Sequence, residues 1–232
     1  MFLQIKSKIL LIMKKNPFFL IFLFIVIIPV TLLAQSGSKG EMPQYLFPEF
    51  NKCEILFKDG QINTQVMNYN TVTEKIVYEQ DGNYYDLLST ILIDTVYIQN
   101  CKFISSGKIF YEVLLSGKIP LFLQNKSDLL PAGKPVGYGG TSQGAISYYM
   151  SKHELSPEYI NMQIPPDVTV KASPVYWVLE QGEMLSFINK KQFIALFTEI
   201  ENEIKDFIKE NRIHFDKRDD VMTLVKYING LY

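Results

Sequence analysis

Histidine, arginine, cysteine and tryptophan are all scarce in this chain. Its 232 residues include two histidines, two cysteines and one tryptophan, and the only arginines are Arg212 and Arg218. A protein metal centre gathers three or four converging ligands, most often with histidine or cysteine among them, so no metal and no cofactor is expected. Nucleic-acid binders usually carry a basic, arginine-bearing stripe, and a formal charge of −1 with two arginines argues against that class. The cysteines, Cys53 and Cys101, match no zinc spacing and are too few for a disulfide framework. In an oxidising compartment they form one candidate pair, with the bond left open.

Long hydrophobic runs are also rare. The one present, FFLIFLFIVIIPVTLLA at 18–34, follows Lys6, Lys8, Lys14 and Lys15, and no acidic residue precedes Glu41. A basic start, an apolar middle and small residues after it make a secretory signal peptide over residues 1–34, with cleavage after Ala34 or Ser36. Seventeen residues interrupted by Pro29 suit a membrane span less well. The processed chain is therefore expected to be exported and not to be an integral membrane protein.

What remains reads as α+β. Residues 54–125 alternate strand-like runs with turn signals: Asp-Gly at 59–60 and 81–82, Ser-Gly at 116–117. Aromatic and β-branched residues fill the runs, as strands prefer. Successive tight turns join antiparallel neighbours, so a meander of about 9–11 strands is expected over a β-rich domain at 35–188. VTVKA and PVYWVLEQGEMLSFI return to strand character after a long Gly/Pro-rich stretch at 126–167. Phe193, Leu196, Phe197, Ile200, Ile204, Phe207 and Ile208 then fall at helical spacing, followed by Val221, Leu224, Val225 and Ile228. These define C-terminal amphipathic helices at 189–232, forming a small cap packed on the sheet. Asn189 is the expected N-cap of the first, Thr198 with Glu201 a capping box where the helix breaks, Asp216 or Asp219 the next cap, and Gly230 the final stop.

The 126–167 stretch holds most of the chemistry worth weighing. Connections this long inside a compact domain are usually functional or disordered. KPVGYGGTSQ at 134–143 lacks the lysine of a P-loop and the strand–helix setting of a dinucleotide fingerprint, so it reads as a glycine-kinked loop. Residues 140–144, G-T-S-Q-G, match the G-x-S-x-G serine elbow in form, without the alternating α/β context that elbow needs. A hydrolase using Ser142 with His153 is therefore the alternative function, and no catalytic residue is assigned. Tyr138, Tyr148, Tyr149 and Tyr159 are the candidate binding residues, because tyrosine combines apolar area with a polar tip. The same rings would equally serve to pin the segment onto the sheet.

The phrases QYLFPEF, NYNTVTEKIVYEQDGNYYDL, DTVYIQNCKF, FYEVL and LLPAGKPVGYGGTSQ, in that order, resemble a family of exported proteins of Gram-negative bacteria. The tail FTEIENEIKDFIKENRIHFDKRDDVMTLVKYIN is similar to the helical segment that ends many small envelope proteins of the same bacteria. The resemblance implies a location on the periplasmic or extracellular face of the envelope and carries no catalytic residues. The expected function is non-catalytic binding or structural support, with an envelope protein or a glycan as partner and no nucleic acid.

Overall fold

The computed structural model describes residues 42–88, 91–107, 109–131, 134–136, 140–142, 160–161, 163–165 and 168–232. The strands are β1 (Asn51–Phe57), β2 (Ile62–Asn70), β3 (Lys75–Gln80), β4 (Asn83–Asp86), β5 (Ile93–Ile98), β6 (Cys101–Ser106), β7 (Ile109–Leu115), β8 (Leu121–Gln124), β9 (Ser127–Pro131), β10 (Lys134–Val136), β11 (Gly140–Ser142), β12 (Val168–Ala172), β13 (Val175–Glu180) and β14 (Glu183–Phe187). The helices are α1 (Lys190–Leu196), a 3-10 turn at Thr198–Ile200, α2 (Glu201–Glu210) and α3 (Arg218–Leu231).

Ten strands form one antiparallel sheet in the order β14-β13-β8-β7-β6-β5-β1-β2-β3-β4. The chain starts in the middle, winds outward to β4, returns to pair β5 with β1, and winds out the other way to β8. Local turns explain most of this. Asp81 and Gly82 both take positive φ, 52° and 77°, as a two-residue hairpin turn requires. The Asp59–Gly60 turn differs. Only Gly60 is left-handed, at 86°, in a wider turn where the Phe57 amide donates to the Gln61 carbonyl.

Alternation along these strands gives the sheet one continuous apolar face. Cys53, Ile55, Met67, Tyr69, Ile76, Val96, Ile98, Phe103 and Phe110 gather at one end of it. There the sheet curls until β3 meets β7, and the Tyr69 hydroxyl donates to the Phe110 carbonyl at 3.3 Å. At the other end the helices supply the cover. Phe193, Phe197, Ile204, Ile208, Val221, Leu224, Val225 and Ile228 join Leu121, Leu123, Tyr176, Val178 and Phe187 in a second core. Glu112 of β7 lies on the same face between the two clusters, buried and bonded to Arg218 of α3 at 2.6 Å.

The helix ends follow sequence rules in part. Asn189 caps α1, accepting from the Gln192 amide at 3.0 Å, and the Gln192 side chain accepts from the Ile188 amide in return. The break near Thr198 is present, but the Thr198–Glu201 capping box is not. Ile200 holds the cap position of α2, with no side-chain bond. Neither Asp216 nor Asp219 caps α3. Lys217 occupies that position, while Asp219 and Asp220 sit in the first turn, where carboxylates complement the positive helix end. Gly230 does not stop α3, which runs on to Leu231. Gly117 in the β7–β8 turn is needed for close approach. A Cβ there would lie 2.7 Å from Asn229 Oδ1, and the Asn229 amide bonds both the Ile119 amide (2.8 Å) and its carbonyl (2.9 Å).

Candidate functional site

Between β8 and β13 the chain leaves the main sheet on a long excursion, and its base is built from described residues. β9 and β12 form a two-stranded antiparallel ribbon, with Val168 opposite Pro131 and Ala172 opposite Ser127. Two further bonds lie at its foot, the first to the β2–β3 turn and the second closing the ribbon itself. The Ser127 amide donates to the Thr71 carbonyl at 2.8 Å, and the Ser173 amide to the Lys126 carbonyl at 2.8 Å.

A second foothold lies at Ile160 and Asn161, both buried. Asn161 Oδ1 accepts from Asn70 Nδ2 at 2.9 Å, and its Nδ2 donates to Asp86 Oδ1 at 2.9 Å. The Tyr45 hydroxyl donates to the Asn161 carbonyl at 2.7 Å, and Gln44 Nε2 to the Ile160 carbonyl at 3.1 Å. Asp86 also pairs with Lys75. Four residues from three parts of the body therefore hold two residues of the excursion. Burial pushes the Tyr45 hydroxyl well above the usual tyrosine range, so it stays a donor at any physiological pH. Gln44 is fully buried, yet its Oε1 has no hydrogen-bond partner among the described residues. Buried polar atoms are paired in the great majority of cases, so this acceptor marks the base as a place of interest.

The backbone contributes too. Thr71–Glu74 turns between β2 and β3, with Asn70 Oδ1 accepting from the Val72 and Thr73 amides. Glu74 closes the turn at φ 61°, a left-handed conformation that costs a non-glycine residue energy. Its buried carboxylate accepts from Gln124 Nε2, whose Oε1 accepts from the Trp177 indole at 2.9 Å. Trp177 meets Tyr111 edge-on, with ring centroids 5.7 Å apart. Beside the Asn161 foothold stands an aromatic shelf: Phe50 lies 4.8 Å from Tyr45 and 5.0 Å from Tyr84 by ring centroid. Such a shelf next to amide and carboxylate groups suits stacking against a sugar face or a partner's side chain.

Replacing Asn161 with alanine removes the two bonds its side chain makes at this foothold. The expected cost is about 1–3 kcal/mol, because Asn70 and Asp86 then lose a buried partner. Urea unfolding checks the value, and an unchanged midpoint would contradict the clamp.

The residues singled out in the sequence divide as follows. Within KPVGYGGTSQ two short strands pair antiparallel, with Lys134 opposite Ser142, Pro135 opposite Thr141 and Val136 opposite Gly140. Ser142 thus lies on an antiparallel strand, and the sharp strand-to-helix turn of a nucleophile elbow is not seen among the described residues. The Ser142 side chain, His153, Tyr138, Tyr148, Tyr149 and Tyr159 lie outside the described residues. Gln44, Asn70, Asp86 and Asn161 carried no sequence signal, since their meeting depends on contacts across up to 116 positions. Among the described residues there is no group of three or more metal-ligating side chains, and no helix is long and apolar enough to cross a membrane.

For the pair Cys53 and Cys101, whose bond the sequence left open, both thiols are free in this structure. Cys101 pairs with Ile98 on β5, and β5 lies between β6 and β1. Two strand spacings, about 9–10 Å, exceed the roughly 7 Å that a disulfide tolerates. Burial pushes each thiol up to about 11, with the neighbouring Glu112 adding to the effect at Cys101. A raised folded pKa means that the neutral thiol stabilises the fold below the unfolded value, near 8.5, and that this is lost as pH rises toward 11. Stability is therefore expected to fall between pH 9 and 11, by roughly 2 kcal/mol for Cys53. Cys53→Ala should flatten that fall in urea titrations at pH 8 and 10.5.

No protein-family model, curated protein or solved structure matches this chain.

Proposed function

We propose that this is an exported, non-catalytic binding module of the Gram-negative cell envelope, and that its contact face is the segment 132–159. The observation that supports the reading is the double footing of the excursion: the β9–β12 ribbon at one place and Asn161 at another. Function concentrates on loops that a rigid scaffold positions, and a buried polar clamp is a costly way to hold a segment with no task. The Phe50–Tyr84 shelf extends the face beside the clamp. An envelope protein or a glycan is the partner that such a mixed aromatic and polar surface would take. The basic-then-apolar leader supports export.

The test compares the protein with a version in which 132–159 is replaced by a short Gly-Ser linker, using capture from envelope extract and a glycan array. The proposal expects one protein or glycan class to be bound by the first and lost by the second, with the melting temperature little changed. Equal capture by both would overturn it. Mass measurement of the cellular protein should find the chain starting at residue 35 or 37. An unprocessed cytoplasmic chain would overturn the export part.

A further inference from the structure

A second surface lies among the C-terminal helices, apart from the excursion. An open groove of about 630 Å³ is lined by Lys190, Lys191, Ile194, Ala195, Thr198, Glu201 and Lys205. Its floor is apolar and short-chained, with half-buried Ile194 beside Ala195 and Thr198, so another element can approach the backbone of α1 closely. Its rim is basic. Lys205 is paired with Glu201 one turn away, but Lys190 and Lys191 are exposed and have no ion-pair partner among the described residues.

The first turn of α1 carries no acid, so neither lysine has an intrahelical carboxylate partner there. The acids nearby, Glu180, Glu183 and Glu199, line a separate pocket that meets the groove only at Thr198. They bound the basic surface on that side.

We infer that this groove docks an acidic amphipathic helix of a partner protein, apolar face on Ile194 and Ala195, carboxylates toward Lys190 and Lys191. Helix-in-groove recognition uses an apolar stripe for area and flanking charge for register. A concave surface fits a protruding helix better than a planar bilayer. The groove contains neither arginine nor an aromatic ring, which nucleic-acid surfaces use. None of these lining residues belongs to the segment 132–159.

The experiment uses the purified protein against two displayed libraries of amphipathic helical peptides, one flanked by Asp/Glu and one by Lys. Acid-flanked peptides should be enriched. Their affinity should fall tenfold or more in K190E/K191E and in Ala195→Trp, and weaken with added salt. The version lacking 132–159 should bind them unchanged. Absence of acid-flanked enrichment, or equal binding to K190E/K191E, would overturn the inference. So would phosphatidylglycerol vesicles, and not peptides, showing the dependence on Lys190 and Lys191.

Discussion

Phe193→Ala is expected to be the most damaging single substitution in the helical cap, costing about 3–5 kcal/mol. Phe193 has no exposed surface, and its ring lies 4.7 Å from that of Phe187, 5.2 Å from Phe197 and 5.7 Å from Phe215. It therefore joins β14, α1 and the connection before α3. Phe187 in turn stacks on Tyr176 at 5.5 Å, so the disturbance reaches β13. A domain of this size has a total stability of about 5–15 kcal/mol, and the loss would consume much of it. Urea unfolding followed by far-UV circular dichroism measures the change. A cost below about 1 kcal/mol would mean that the cap contributes little to folding, contrary to the second core described above.

Arg218→Leu should cost about 2–3 kcal/mol, less than a fully buried pair because the arginine side chain is half exposed to screening water. Its importance comes from the partner. Glu112 is 1% exposed, and its carboxylate accepts from Arg218 at 2.6 Å and from Asn125 at 2.9 Å. Removing the guanidinium strands a charge between two apolar clusters. The double variant Glu112→Leu/Arg218→Leu should recover more than half of the loss, since no charge is then left buried. A double variant no better than Arg218→Leu would show that the arginine acts through packing.

Much of the fold was legible because local chemistry specified it. Asp81-Gly82 demanded a two-residue turn, and Asn189 before an apolar stripe demanded a helix start. The capping of α2 and α3 was not legible, since Thr198, Asp216 and Asp219 are all acceptable caps and tertiary packing chose Ile200 and Lys217 instead. Asn68 and Asn70 flank Tyr69 at alternate positions, which reads as a solvated strand face. Both are buried, because Phe47 and Glu49 lie over Asn68 and Asn161 over Asn70. Alternation tells which face a side chain takes and is silent on what will cover that face. The candidate site was half legible for the same reason. The length and the Gly/Pro content of 126–167 pointed to the excursion, while its footing depends on residues distant in sequence.

Native-state hydrogen exchange tests the central claim, that the excursion stands on a foundation as firm as the body. The amides to follow are Thr71, Ser127 and Ser173, which bond across the base, with Leu46 and Leu123 as reference positions in the body. The account predicts that all of them exchange only through global unfolding, and that Asn161→Ala speeds Thr71 and Ser127 before the rest. Rapid exchange at Thr71, Ser127 and Ser173 in the unaltered protein, with Leu123 still protected, would contradict it.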